Sequence, residues 1–282
     1  MVFTCVSAMQ AQVSMSVIAF GSLILLENNL KHLCFILQIN ELITSFLIQC
    51  MAASRVIDGT TTLREGDIAV STGRRSKVCF ARSCQWAKSV DGHVYIPYKI
   101  SPDYSEMDIK LIKKGMENIE KGTCVRFVPR THQRDYIDIQ AQSGCWSYLG
   151  ARGGKQTVSL QNPHCVQVGV ISHEFMHVLG FVHEQSRFDR DNYVTVIGWH
   201  FGNSKLKNFE KFKTENLDLP YDFGSIMHFG KYAYSQDGEP TIVPKNNQRM
   251  KFGQTEHLSH IDKMKINKLY KCGKSSQVST IC

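Results

Sequence analysis

Positions 173–184 read H-E-F-M-H-V-L-G-F-V-H-E, and this stretch restricts the fold more than any other part of the chain. Histidines four apart on an α-helix are turned by about 40° and lie on one face. His183, six residues beyond His177, would lie roughly 9 Å further along if the helix continued. The three imidazoles can therefore meet only if the helix ends between them, and Gly180 can take the left-handed conformation that ends it.

Three imidazoles that meet at one point are typical ligands of a catalytic zinc ion, which they bind at about 2.0–2.1 Å. We therefore predict one Zn²⁺ per chain, bound by His173, His177 and His183. Glu174 follows the first histidine and can act as the general base on a water at the metal. The alternative is a buried helix with hydrogen-bonded histidines, but random placement gives H-E-x-x-H only about 0.02 times in a chain of this composition.

A second motif, S-I-M-H-F at positions 225–229, follows the third histidine. An extended zinc helix followed by a methionine-containing turn is the metzincin signature. Met227 taken alone would be ordinary core, because methionine fills irregular gaps. In the functional interpretation it is also core, and it packs beneath the metal site without binding the ion.

Charge and composition exclude several classes of function. An apolar content of 43% over 282 residues suits one globular domain with extra segments. A net charge of +8 favours acidic partners. The basic residues form no concentrated tract, however, and no DNA- or RNA-binding motif is present, so we expect no nucleic-acid partner.

Seven of the ten cysteines lie from Cys79 onward. They are widely spaced and the histidines already supply a metal site, so disulfides are favoured over a second metal cluster. Disulfides require an oxidising compartment, which indicates secretion. An odd number leaves one cysteine over, and the final residue, Cys282, is the natural candidate.

The first part of the chain has the character of targeting and precursor segments. Apolar runs at 13–26 and 33–51 favour a signal region over residues 1–53. Neither run reaches about 20 uninterrupted apolar residues, so we expect no stable membrane span. Residues 54–74 are the expected pro-segment, next to a dibasic R-R sequence that suits processing.

Asp67 lies within this pro-segment and has two interpretations. It can be a turn residue in a polar stretch. It can also be an inhibitory zinc ligand that takes the water position until the segment is removed. A catalytic domain would then occupy residues 75–272, followed by a C-terminal tail at 273–282.

Apolar periodicity along the body of the chain predicts an α+β fold, with strands where apolar residues alternate and helices where they recur at helical spacing. The predicted strands are 93–100, 125–128, 136–139 and 157–160, and the predicted helices are 106–121, 168–179 and 261–270. The strand at 157–160 is the candidate for holding an extended substrate through backbone hydrogen bonds. Between the zinc helix and the terminal helix we expect mostly irregular structure.

Positions 183–191 read H-E-Q-S-R-F-D-R-D, which resembles the H-E-Q-x-R-x-D-R-D sequence of the astacin family of zinc endopeptidases, a sequence that other metzincins lack. The resemblance runs from about Cys79 to Cys272. Cys79 and Cys84, ahead of Trp86, are similar to the extra pair of the six-cysteine astacins of fishes, which include hatching enzymes that digest the egg envelope. No epidermal-growth-factor-like or CUB-like module follows, so tolloid-type and meprin-type architectures are not expected.

The resemblance implies a two-lobed metzincin fold. A twisted, mostly parallel sheet with helices would form the N-terminal lobe, and a largely irregular C-terminal lobe would carry the terminal helix. It also implies a secreted, monomeric zinc metalloendopeptidase, made as a zymogen and released directly or through secretory granules. Its substrates would be extracellular proteins or peptides, with egg-envelope proteins as candidates.

The resemblance further implies specific roles for residues of this chain. The implied disulfides are Cys79–Cys84, Cys124–Cys272 and Cys145–Cys165. The mature chain would begin near Arg75 or Ser76, and its new ammonium would be buried close to Glu184. The alternative for Glu184 is an ordinary surface acid.

Two positions depart from the family pattern. The family has Tyr after the Met-turn histidine, where it binds resting zinc and donates to the oxyanion, whereas this chain has Phe229. One lost oxyanion donor typically costs about 10²–10³ in rate, and nothing in the sequence indicates that Tyr232 replaces it. The aromatic residue of the pro-segment switch falls at Arg64. Phe229 therefore keeps open a second function, a catalytically weakened zinc-binding homologue that acts as an extracellular protein-binding module. A structural protein with a fossil site is the third.

Overall fold

A computed structural model describes residues 61–71, 84–201, 203–247 and 249–273, all within the unit Ser54–Cys282. Seven strands form one sheet. In chain order they are β1 Thr61–Arg64, β2 Ile68–Ser71, β3 Val94–Ile100, β4 Val125–Pro129, β5 Tyr136–Gln140, β6 Cys145–Tyr148 and β7 Lys155–Leu160. The spatial order is β1-β2-β6-β7-β5-β3-β4, and only the β1–β2 and β6–β7 pairings are antiparallel. The sheet is therefore mostly parallel, as predicted.

The interior strands of the sheet are apolar because parallel strands are covered on both faces. Ile137 and Ile139 of β5 and Val158 and Leu160 of β7 are fully buried. Two helices cover the sheet, α1 Glu106–Glu120 and α2 Val168–Val178. We call residues 84–182, which contain β3–β7 and both helices, the sheet lobe.

Helix α1 begins at a reciprocal capping box, in which the Ser105 hydroxyl accepts from the Asp108 N–H and the Asp108 carboxylate accepts from the Ser105 N–H. Such a box satisfies two donors that the first turn would otherwise leave free. The helix approaches α2 closely, since a Cβ on Gly115 would collide with the Ile171 side chain. Glycine at this contact lets the two backbones pack together.

Residues 183–259, which we call the loop lobe, have little regular structure. Their only sheet within the described residues is the antiparallel pair β8 Val194–Val196 and β9 Ile242–Pro244. A separate apolar cluster supports the lobe, and it includes stacked rings of Phe201 and Phe209 with centroids 4.3 Å apart. The chain continues into α3 His260–Leu269.

The predicted helices agree with the structure to within a residue at either end, whereas five short strands (β1, β2, β6, β8 and β9) were not predicted. The proposal that 157–160 holds the substrate is wrong. Strand β7 already makes backbone hydrogen bonds to β5 on one side and β6 on the other. Among the strands of the sheet lobe β6 lies at one edge, and β2 pairs with it in parallel.

The structure contains the Cys124–Cys272 and Cys145–Cys165 disulfides. Cys84 is also disulfide-bonded, whereas Cys79 and Cys282 lie outside the described residues. Within 61–71 and 84–273, leaving aside 202 and 248, no helix is both long and apolar enough to cross a membrane.

Candidate active site

Helix α2 ends where the histidine spacing requires it to end. Gly180 has a φ of +99°, and its N–H donates to the His177 carbonyl at 2.8 Å. The next N–H, of Phe181, donates to the Met176 carbonyl at 3.1 Å. This pair of bonds is a Schellman motif, which satisfies the last carbonyls of a helix and turns the chain away from it. The prediction that Gly180 ends the helix is confirmed.

The turn brings His183 back to the two helical histidines. Ring centroids of His173 and His177 lie 4.8 Å apart, and the His183 ring lies 5.2 Å and 4.8 Å from them. Each Nδ1 atom has an oxygen partner: the Ile226 carbonyl for His173 at 2.9 Å, the Phe181 carbonyl for His177 at 2.7 Å, and Glu65 Oε2 for His183 at 2.6 Å. Because Nδ1–H donates outward, the three Nε2 atoms are free to meet at one point.

The carboxylate of Asp67 lies at that point. Its Oδ2 is 3.2 Å from His173 Nε2 and 3.1 Å from His183 Nε2, and its Oδ1 is 3.4 Å from His177 Nε2. Ligands on a tetrahedral zinc ion with bonds of about 2.0–2.1 Å lie roughly 3.3 Å apart. Among the described residues, the buried His177 Nε2 has no hydrogen-bond partner. The donor set and its spacing therefore fit zinc.

The histidines of the site differ in their protonation. Burial lowers the pKa of His177 to about 4, which keeps that ring neutral. Burial opposes the charge on His183, but Asp67 and then Glu65 outweigh it and raise the pKa of that ring to about 10. Burial also disfavours ionised Asp67, yet His183 and the other imidazoles hold its pKa well below the usual value. A cation bound between the three Nε2 atoms would balance the negative charges of Asp67 and Glu65. In the described form the proton on His183 has that role.

Glu174 lies on α2 and is 1% exposed. Burial first, and then the neighbouring charge of Asp67, raises its pKa well above the usual value. Its Oε2 is buried and has no partner among the described residues. Its backbone carbonyl accepts from the Ser147 hydroxyl at 3.0 Å, which ties the helix to β6. Such a carboxylate can accept a proton in the site.

Glu184 is buried, so the interpretation as a surface acid is wrong. Its Oε1 accepts from Arg187 Nη1 at 3.0 Å and from the Asp222 N–H at 2.9 Å, and Lys265 Nζ donates to its Oε2. A cavity of about 70 Å³ lies beside the carboxylate, lined by Met227 among other residues.

The Met-turn lies beneath the histidines. Met227 is 1% exposed, and its carbonyl accepts from the Glu184 N–H at 2.9 Å. Asp262, in the first turn of α3, accepts from the Ser225 hydroxyl at 2.6 Å and from the Ile226 N–H at 3.0 Å. Asp262 thus holds the turn whose carbonyl orients His173. Asp262 was not predicted as a site residue, although the S-x-x-D pattern at 259–262 is typical of a helix cap.

The two departures from the family pattern have distinct surroundings. The Phe229 ring lies 4.4 Å from the His183 ring, and Tyr232 is 48% exposed. Arg64 lies over the Phe212 ring at 4.1 Å. Two further residues of the site, Glu65 and Tyr234, were not predicted. The Tyr234 hydroxyl donates to the Glu65 carbonyl at 2.8 Å. A second acid two positions before Asp67 was the signal available for Glu65.

Comparisons with known proteins agree with this geometry. A family model described as Astacin, a peptidase family, matches residues 83–271. The chain is 42% identical to the low choriolytic enzyme of Oryzias latipes over 212 residues, which are 74% of this chain and 78% of that protein. It is 41% identical over 223 residues to an astacin-like metalloendopeptidase of Gallus gallus, of which it spans 54%, and the match covers 78% of this chain.

A solved structure is also similar. It is the high choriolytic enzyme 1 of Oryzias latipes, described as a hatching enzyme zinc-protease. The match has a TM-score of 0.67 and 41% sequence identity, and it covers 70% of this chain and 98% of the other.

Proposed function

The chain belongs to the astacin family of zinc peptidases and is a metalloendopeptidase, and on this premise we propose that the described form is its latent zymogen. The observation that carries the proposal is the meeting of the histidine Nε2 atoms with the Asp67 carboxylate, the four ligand atoms lying within 4.8 Å of one another. His173, His177 and His183 would hold zinc, and Asp67 would fill the remaining position until the pro-segment is removed.

Glu174 is the proposed general base and acid. A zinc ion in this site would polarise the scissile carbonyl and lower the pKa of a water toward about 7. Glu174 Oε2 then accepts a proton from the attacking water and later passes it to the leaving amine.

The edge of β6 is the proposed seat of the substrate. In the described form β2 pairs with it in parallel, Ile68 opposite Ser147 and Ala69 opposite Tyr148. The Ser147 N–H donates to the Asp67 carbonyl at 2.9 Å. Removal of the pro-segment would free these backbone groups, and an exposed edge accepts an extended peptide as an added strand.

Processing would also supply a new N-terminus. A chain that begins near Arg75 or Ser76 presents an ammonium, for which the cavity beside Glu184 offers a buried carboxylate. Lys265 already pairs with Glu184 and would share it with the new cation. The domain limits follow the same scheme, with a signal region at 1–53, a pro-segment at 54–74, a catalytic domain at 75–272 and a tail at 273–282.

The proposed setting is extracellular. The disulfides suit an oxidising compartment, and two relatives are named choriolytic enzymes. We therefore propose a secreted monomer, released directly or through secretory granules, with egg-envelope proteins as candidate substrates. The second candidate is the weakened homologue that binds an extracellular protein, which Phe229 favours because its ring offers no donor.

Cleavage of a denatured protein by the processed chain tests the function. Glu174→Gln should lower cleavage about 10²–10⁴-fold while the zinc content remains one per chain. Glu117→Gln, on an exposed face of α1, is the matched control and should leave both unchanged. One zinc per chain with no cleavage above the Glu174→Gln background would favour the binding-module function.

A further inference from the structure

Phe229 occupies a position directly against the histidines and offers no side-chain donor. Its ring centroid lies 4.4 Å from that of His183, and its backbone N–H is already bonded to Gln185 Oε1 at 3.0 Å. Peptide hydrolysis places negative charge on the carbonyl oxygen, and peptidases stabilise that charge with a hydrogen-bond donor fixed in advance. A donor from another residue would therefore supply the stabilisation that Phe229 cannot.

The Tyr234 ring packs against the Phe229 ring, with centroids 5.5 Å apart and planes at 61°. Its hydroxyl donates to the backbone carbonyl of Glu65 at 2.8 Å. The side chain of that same Glu65 bonds His183 Nδ1, and Asp67, two residues further on, contacts all three histidines. The Tyr234 hydroxyl therefore lies at the rim of the site and binds a peptide carbonyl of the inhibitory turn.

The position of this hydroxyl does not depend on the pro-segment alone. Tyr234 has a φ of +61°, a left-handed conformation that is unfavourable for a bulky residue and is found where surrounding contacts impose it. The Thr241 hydroxyl donates to the Ala233 carbonyl at 2.7 Å and holds the turn. The Phe209 ring lies 5.9 Å from the Tyr234 ring. The loop lobe thus holds the backbone turn and the ring of Tyr234 independently of the Glu65 contact.

The hydroxyl keeps its proton at neutral pH. Burial first, and then the charges of Asp67 and Glu65, raises the pKa of Tyr234 well above its usual value. Without the two carboxylates the hydroxyl would still keep its proton at neutral pH, because the ordinary pKa of tyrosine is about 10. The group is therefore a donor both before and after processing.

We propose that in the processed enzyme the Tyr234 hydroxyl donates a hydrogen bond to the scissile carbonyl oxygen and stabilises the charge that develops there, in place of a donor at Phe229. In the described form the Glu65 carbonyl takes the acceptor position that the substrate oxygen takes later. This assignment makes Tyr234 a catalytic residue, and it rests on the proposed zinc endopeptidase function.

The test uses the full chain after proteolytic removal of the segment ahead of Ser76. Tyr234→Phe removes only the hydroxyl group. We expect kcat to fall about 10²-fold with KM changed by less than about two-fold. Affinity for a phosphinic peptide, which mimics the tetrahedral intermediate and needs no turnover, should fall by about the same factor as kcat. Tyr232→Phe, on an exposed residue of the same turn, is the matched control and should change none of the three.

A double variant sharpens the assignment. Phe229→Tyr alone should raise kcat by less than about three-fold, because a donor is already present. In the Tyr234→Phe background the same substitution should recover most of the lost kcat. If Tyr234→Phe fails to fold, Phe229→Tyr alone still tests the proposal, because a rise in kcat of about 10²-fold would mean that Tyr234 supplies no donor. Unchanged kcat and unchanged phosphinic-peptide affinity in Tyr234→Phe would overturn the proposal, as would a loss confined to KM. A wild-type chain that binds zinc without cleaving would refute the proposed function, and phosphinic-peptide affinity would still test Tyr234.

Discussion

The sheet lobe and the loop lobe hold their interiors together by different means. In the sheet lobe, strands and helices repeat an apolar pattern, and buried positions such as Ile112, Ile137 and Val158 follow from that pattern. The loop lobe has no such repeating pattern, and buried ion pairs and aromatic rings hold its interior. Arg187, for example, donates hydrogen bonds to Glu184, Asp189 and two backbone carbonyls. The first lobe depends on many similar contacts, whereas the second depends on a few specific ones.

The zinc site contains histidines from both lobes. His173 and His177 come from a helix of the sheet lobe, and both rest on backbone carbonyls. His183 comes from the loop lobe, and its Nδ1 rests on the carboxylate of Glu65. If the proposed processing removes residues 54–74, His173 and His177 would keep their orienting partners, whereas His183 would need another. Substitutions can separate these contributions.

The largest expected effect concerns the disulfide that joins Cys124, just before β4, to Cys272, three residues after α3. Replacing Cys124 and Cys272 by Ala opens a loop with a sequence separation of 148, whereas replacing Cys145 and Cys165 opens one of 20 within the sheet lobe. In the chain-entropy model the free energy of unfolding falls by about 5 kcal/mol in the first case and about 3 kcal/mol in the second. Urea unfolding of both variants checks this order, and equal losses would contradict it.

Asp67 connects the two lobes in the described form, since it contacts histidines of both. A hydrogen bond to a charged group contributes about 1.5–3 kcal/mol. Asp67→Ala would weaken the hold of the proposed pro-segment on the site by about that amount, so cleavage by the unprocessed chain should rise about 10–10²-fold over the unprocessed wild type. Asp103→Ala, at an exposed site, is the control. Latency that survives the loss of Asp67 would show that the carboxylate is not the inhibitory ligand.

Two capping boxes of the same type differ in their surroundings. Asp108 completes the box of α1 at a partly exposed position, whereas the buried Asp262 completes the box of α3 and also accepts from Ser225 and Ile226 of the Met-turn. Asp108→Ala should lower the free energy of unfolding by about 1 kcal/mol, and Asp262→Ala by about 3 kcal/mol because it leaves buried donors unpaired. Thermal unfolding measures the difference. Similar losses would mean that the Met-turn does not depend on Asp262.

The smallest expected effect is a pH dependence in the loop lobe. His228 is buried between the Tyr221 hydroxyl and the Phe229 carbonyl, and burial lowers its pKa to about 4. The unfolded chain binds that proton near pH 6.5, so this contribution to stability is complete above pH 6.5 and is lost as pH falls toward 4. The loss should reach about 2 kcal/mol by pH 5. His228→Asn should flatten this part of the profile and exposed His132→Asn should not, so equal slopes in urea unfolding would refute it.

Local signals in the sequence predicted the helices and most of the strands of the sheet lobe. Apolar periodicity predicts α1, α2 and α3 to within a residue, and the need to bring His183 back to the helix predicts the turn at Gly180. The missed strand β6 is four residues long, too short for alternation to stand out from chance. Strands β1 and β2 gain their identity only from pairing with it and with each other.

Long-range contacts explain what the sequence did not predict in the site. Glu65 meets His183 across 118 positions, and Tyr234 meets Glu65 across 169. Lys265 reaches Glu184 from the terminal helix across 81 positions. No periodicity relates residues at such separations. The meeting of His173 and His177 could be predicted because both lie on one helix. The partners at long separation depend on how the loop lobe folds.

Counting zinc and measuring peptide-bond cleavage on one preparation, before and after removal of the segment that carries Asp67, tests the central claim most directly. The account predicts one zinc per chain in both forms and cleavage only after removal. Absence of zinc from both forms would contradict the three-histidine site. One zinc per chain with no cleavage after removal would contradict the account of a latent but working metalloendopeptidase.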